Sequence, residues 1–187
     1  MKFMNIDVNF TAIKVIIFCL FLTLYSNLAH ALDNMKFQLP IDCKLDQDCW
    51  IVNYVDLDST SGRRTFFCGH QTYNGHKGTD FAIRDLTQMG EGVAVKAVFK
   101  GTVLGTRDGM PDISLALVGH DAIGGRECGN GLVVKHSNGW ETQYCHLRQG
   151  SIAVNKGDVI KAGTHLGFVG QSGAAEFPHV HLSVRHN

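Results

Sequence analysis

The chain has no excess charge of either sign: 17 Lys and Arg balance 17 Asp and Glu. Nucleic acid is therefore not an expected partner, because phosphate recognition draws on a basic patch. The same balance offers no polybasic anchor for a membrane surface. No stretch after the first thirty residues is apolar and long enough to cross a bilayer. Internal repeats and low-complexity tracts are missing, and no segment sustains a long 3.6-residue period, so a helical bundle is not indicated.

The N-terminus has a different character. Lys2 and Lys14 precede an apolar core, Val15 to Tyr25, and Ala29-His30-Ala31 supplies the small residues that a signal peptidase reads. This three-part pattern predicts a secretory signal peptide over residues 1–31 and a single domain over 32–187. No stable membrane anchor is expected once the signal is removed. An exported chain can hold disulfides. Five cysteines lie beyond the signal, an odd number, so one at least is free, metal-bound or shared with another chain. Their spacings match no zinc-finger pattern. A Cys128–Cys145 bridge is expected, with a second bridge among Cys43, Cys49 and Cys68.

Short β-branched and aromatic runs punctuated by glycine predict a mainly β fold, a compact antiparallel sheet domain with long loops. The runs are Trp50 to Val55, Asp80 to Ile83, Ala94 to Leu104, Gly131 to His136, Trp140 to Leu147, Leu166 to Gly170 and Pro178 to Val184. Asn138-Gly139 between two alternating runs is a strong hairpin signal. Residues 107–130 lack periodicity and are predicted as a long loop insertion, which in a compact domain is usually functional or mobile.

Ten histidines remain to be sorted. His30 lies in the signal. His70, His120, His165 and His186 have no partner at a meaningful spacing, and His136 beside the hairpin turn reads as structural. Two short motifs differ. His179-Val180-His181 puts two imidazoles on one face of a strand, since side chains alternate. His76-Lys77-Gly78-Thr79-Asp80 adds a third imidazole and a carboxylate. Neutral imidazoles with a carboxylate suit zinc (Zn2+), and three protein ligands with an open fourth position make a catalytic arrangement. His146, in Tyr144-Cys145-His146-Leu147, stands at a strand end, with Tyr144 expected on its own face by alternation.

These three motifs, in this order, resemble the lysostaphin/LytM-type zinc metallopeptidases, which cleave peptidoglycan peptides. The surrounding text GNGLVVKHSNGWETQYCHL, VNKGDVIKAGTHLGFVGQSG and PHVHLSVR is similar too, so the likeness runs from about Gly75 to Arg185. The resemblance implies the duplicated-hybrid-motif type of sheet, with His76, Asp80 and His181 as zinc ligands and His146 and His179 as non-ligand catalytic histidines. It also implies peptidoglycan stem or cross-bridge peptides as substrate: the D-alanyl–diaminopimelate cross-link in a periplasm, or a glycine bridge in an external wall. There is no HExxH, so a glutamate base is not indicated. A catalytically silent regulator of another wall hydrolase is the alternative, and such relatives generally lack a ligand that this chain has. A peptidase that cuts proteins is a third reading, since specificity lives in loops.

Overall fold

A computed structural model of the chain describes residues 36–186. The predicted signal peptide lies outside the described residues. From Phe37 onward the chain forms one compact unit. Its strands are β1 (Cys49–Asn53), β2 (Thr79–Ile83), β3 (Ala94–Lys96), β4 (Gly101–Arg107), β5 (Asn130–Lys135), β6 (Trp140–Leu147), β7 (Val159–Ile160), β8 (His165–Phe168) and β9 (His179–His186). Two short helices are α1 (Leu86–Glu91) and α2 (Leu115–Ile123).

Seven strands make one sheet in the order β1-β2-β9-β6-β5-β4-β7, and β3 pairs with β8 apart from it. Every pairing among these strands is antiparallel. Phe81, Val103, Leu132, Val134, Tyr144, Leu147 and Val180 on one face of the large sheet share a core with Val95, Leu166 and Val169. The apolar residues alternate along the strands, so one face faces this core and leaves the opposite face to polar side chains. The β5–β6 hairpin forms where Asn138-Gly139 predicts it. Both residues have positive φ, 57° and 79°, which Asn and Gly tolerate. The mainly β antiparallel expectation is met.

Among the described residues the disulfides are Cys128–Cys145 and Cys43–Cys49, which leaves Cys68 free and exposed. The 107–130 segment corrects the expectation of a loop. Its middle is α2, broken at Gly119, whose φ of 75° is not helical. A helix of two short pieces shows too few turns for a period to be visible in sequence. It is also bolted down. Asp112 accepts the backbone N–H groups of Gln149 and Gln171, both at 2.8 Å, and Asp108 accepts that of Gly150 at 2.8 Å. The Leu115 N–H donates to the Ala175 carbonyl at 2.9 Å. None of these partners is near in sequence, which is why the pattern is silent about them.

Candidate active site

The site grows from the outward face of four neighbouring strands. Asn53, Asp80, His181 and Cys145 are successive cross-strand partners along β1, β2, β9 and β6. Directly paired residues present side chains on one face. His179 lies two residues before His181, so it shares that face.

His76 reaches the same point from the turn before β2. Its Nε2 lies 3.1 Å from Asp80 Oδ1 and 3.0 Å from His181 Nδ1, and His181 Nδ1 lies 2.8 Å from the same carboxylate oxygen. Gly78 of the motif is required sterically, because a side chain there would run into the His181 ring and the Leu182 carbonyl. The outer atoms hold the inner ones in place. His76 Nδ1 donates to the Tyr54 carbonyl at 2.7 Å, which leaves Nε2 as the lone-pair nitrogen. Asn53 Nδ2 donates to Asp80 Oδ2 at 3.0 Å, and His181 Nε2 lies 3.0 Å from Ser183 Oγ.

Three electron-rich atoms thus converge in a space where protons cannot satisfy every pair. Burial alone would raise the Asp80 carboxyl, but the hydrogen bonds with His181 and His76 outweigh it and hold the group well below the carboxylate range. Burial would likewise lower His76, yet its bond to Asp80 prevails and raises it. A His2Asp set of this kind fits a divalent cation such as zinc. Fixing of each ligand by an outer hydrogen bond is what metal ligands commonly show.

His146 and His179 stand beside this cluster, their rings 4.6 Å apart. His179 Nε2 lies 3.8 Å from Asp80 Oδ1, and its Nδ1 donates to the Phe177 carbonyl at 2.9 Å. His146 Nδ1 donates to the Ser172 carbonyl at 2.8 Å. A carbonyl can only accept, so the nitrogen left free on each ring is Nε2. Burial pushes His146 down to about 3, with His179 adding to the fall, and burial lowers His179 as well. Both rings are therefore neutral near pH 7, with Nε2 unprotonated.

The expected common face of Tyr144 and His146 is overturned. Asn130 pairs with Leu147 while Leu132 pairs with Tyr144, so β6 carries one extra residue at Cys145-His146. This bulge, with His146 at φ 64°, turns the imidazole out of alternation. Tyr144 is fully buried in the core instead, where its Oη accepts the Val98 N–H at 2.9 Å.

A cleft of about 350 Å³ opens over the cluster, lined by Asp80, His146 and His179 together with Asn53, Tyr73 and His120. Sequence reasoning missed these last three. Tyr73 stacks on His76 with ring centres 4.4 Å apart, and burial, with Asp80 adding, pushes its hydroxyl up to about 12, so it remains a donor. His120 has no partner at a meaningful spacing in the sequence. It enters the cleft wall through the docking of α2, which no local pattern announces. Ser172 and Asn130 were missed too: the Asn130 N–H donates to Ser172 Oγ at 2.9 Å, beneath His146. His136 is structural as expected, buried between the Lys100 carbonyl and Thr142 Oγ1 at 2.8 Å each.

The family model described as Peptidase family M23 matches residues 74–187, more than half of the chain. Among curated proteins, the cell division protein DipM of Caulobacter vibrioides is 29% identical over 108 residues, covering 58% of this chain and 16% of that protein. The DD-carboxypeptidase/endopeptidase Mpg of Neisseria meningitidis serogroup B is 42% identical over 59 residues, 32% of this chain and 13% of that protein. The peptidoglycan DD-endopeptidase ShyA of Vibrio cholerae serotype O1 is 32% identical over 109 residues, 58% of this chain and 20% of that protein. The matched stretch thus covers no more than a fifth of each relative. Among solved structures, a chain of the SpoIIIAH and SpoIIQ complex superposes with a TM-score of 0.55 at 19% identity, covering 80% of this chain and 92% of that one. That likeness concerns the fold alone.

Proposed function

The chain belongs to peptidase family M23, and from that premise we propose that it is an exported zinc metalloendopeptidase that hydrolyses peptide cross-links of bacterial peptidoglycan. In this reading residues 1–31 are the secretory signal, 32–187 the peptidase domain, and the periplasm its compartment. The observation that carries the proposal is the convergence of His76 Nε2, Asp80 Oδ1 and His181 Nδ1 beside two buried neutral imidazoles.

His76, Asp80 and His181 would hold the zinc. When bound there, zinc supplies Lewis acidity towards a peptide carbonyl and makes water easier to deprotonate at neutral pH. The chain's own residues do the rest. His146 and His179 present an unprotonated Nε2 towards the cleft, so that one of them can take the proton of the attacking water and, once protonated, pass it to the departing amine. Their backbone carbonyl partners keep both rings in the competent tautomer. The Tyr73 hydroxyl, held protonated, is a further donor at the rim. Burial of these side chains lowers the local dielectric and strengthens their interactions.

The test is a zinc-content assay on the purified mature chain, paired with digestion of purified peptidoglycan with and without chelator. About one zinc per chain, and chelator-sensitive release of peptides whose masses give the bond, are expected. Bound zinc with no cleavage of any wall preparation would sink the enzyme reading.

A further inference from the structure

The outward sheet face is not equally open on the two sides of the zinc-ligand cluster. Towards β5, Cys128 Sγ rides directly on the strand: a side chain at Gly131 would meet it at 3.0 Å, and Gln143 Nε2 lies 3.5 Å from it. Gly131 in turn pairs with Arg107 on β4. The Cys128–Cys145 bridge therefore stands as a ridge across the row that begins at Asn53, Asp80 and His181. The depression beyond it, lined by Gly105, Arg107 and Arg185 among others, shares no lining residue with the catalytic cleft.

Towards β1 the cleft runs on. Asn53 and Phe177 line both the cleft and an adjoining hollow of about 490 Å³, whose other walls include Trp50, Ala82 and Arg84. Trp50, Ala82 and His179 are successive cross-strand partners. The indole therefore sits on the catalytic face two strand spacings from His179, about 10 Å away. Phe177 bridges the gap, its ring centre 4.8 Å from that of His179. Trp50 keeps 37% of its surface exposed and Phe177 39%, so two aromatic faces are left uncovered in line with the site.

Arg84 lies just past the end of β2 and lines the same hollow as Ala82 and Trp50. Its Nε lies 3.8 Å from Asp85 Oδ2 with both side chains exposed, a loose pair of little worth. Asp85 caps α1 through its other oxygen, Oδ1, which accepts the Gln88 N–H at 2.9 Å. With only this long, exposed contact at Nε, the guanidinium fork keeps N–H donors for a carboxylate.

We propose that Trp50, Phe177 and Arg84 form a substrate subsite that holds an extended peptide arm bearing a free carboxylate, on the side of the scissile bond opposite the disulfide ridge. This rests on the peptidase reading and deepens it. Aromatic faces cover the apolar stem of the arm, and Arg84 pairs with its carboxylate in a charge-assisted hydrogen bond. The ridge limits how far substrate extends on the other side, so binding strength depends on the β1 side.

The experiment uses a soluble cross-linked stem-peptide dimer in free-acid and carboxamide forms, with the mature zinc-loaded chain. Trp140→Phe leaves Trp50 as the sole tryptophan, whose emission reports binding without turnover. Expected results are an emission change on binding, about tenfold weaker binding of the free acid by Arg84→Ala, and unchanged binding of the carboxamide. Arg84→Lys should restore part of the loss, and Trp50→Ala, read by titration calorimetry because it removes the reporter, should weaken both forms. If both alanine variants bind and cleave both forms as the parent does, the subsite is refuted while the peptidase stands. If the parent binds with this dependence on Trp50 and Arg84 but cleaves nothing, the subsite stands and the peptidase reading fails.

Discussion

The Ser172 carbonyl accepts the Nδ1 proton of His146 at 2.8 Å, and this bond decides which nitrogen of a buried imidazole faces the cleft. Ser172 is itself held, its Oγ donating to the Leu147 carbonyl at 2.8 Å and accepting the Asn130 N–H at 2.9 Å. The histidine is positioned from beneath by groups remote in sequence.

Removing a proposed zinc ligand should remove the metal and the activity together. His181→Ala and Asp80→Ala are expected to contain no zinc after dialysis and to release no wall peptides. A His181→Ala protein that kept its zinc, beside a His179→Ala protein that lost it, would reverse the assignment.

The other two histidines should behave differently. His146→Ala and His179→Ala are expected to keep about one zinc per chain while turnover falls roughly 10²–10⁴-fold, the usual contribution of a general acid or base. Metal analysis and digestion rate on the same preparations separate the two outcomes.

Asn130 is fully buried, and its side chain accepts the Met110 N–H and donates to the Met110 and Leu147 carbonyls. Asn130→Ala strands these groups away from water and should cost about 2–4 kcal/mol. Denaturant unfolding measures this, and a change within error would show that the network contributes nothing.

The Cys128–Cys145 bridge spans 17 residues, a separation for which loop closure contributes about 3 kcal/mol. Cys128→Ala with Cys145→Ala should lower Tm and, by loosening the bulge that aims His146, lower turnover. Amide exchange should rise at residues 145–147 while α2 stays protected, because Asp108 and Asp112 still anchor the insertion. Unchanged melting, exchange and turnover would contradict this.

Acid should destabilise the chelated protein through His146. Its pKa falls from 6.5 unfolded to about 3 folded, so between those values the unfolded chain binds a proton that the folded chain refuses. This contribution is complete above about pH 6.5 and drains as pH falls towards 3. Asp80, also lowered, acts with the same sign below its ordinary 3.8, whereas raised His76 favours the fold fully below 6.5 and loses that contribution as pH rises from 6.5 through its raised folded value. Melting temperature should therefore fall more steeply from pH 6.5 to 4 in the parent than in His146→Gln, and equal slopes would dismiss the effect.

The sequence by itself determined the strands around the site and the motif residues. Strand alternation placed His179 and His181 on one face, the Asn138-Gly139 turn set the β5–β6 hairpin, and His76-x-Gly-x-Asp80 carried its own glycine for close approach. These signals are local, because backbone geometry and side-chain type act within a few residues. Only the tertiary structure decided the rest. The bulge that frees His146 from the face of Tyr144 arises from a mismatch between two strands, which neither strand shows alone. Helix α2 forms where carboxylates of Asp108 and Asp112 find backbone donors some forty to sixty residues away. His120, Tyr73 and Asn53 enter the cleft through packing between distant segments, and burial, not residue type, makes His146 and His179 neutral bases.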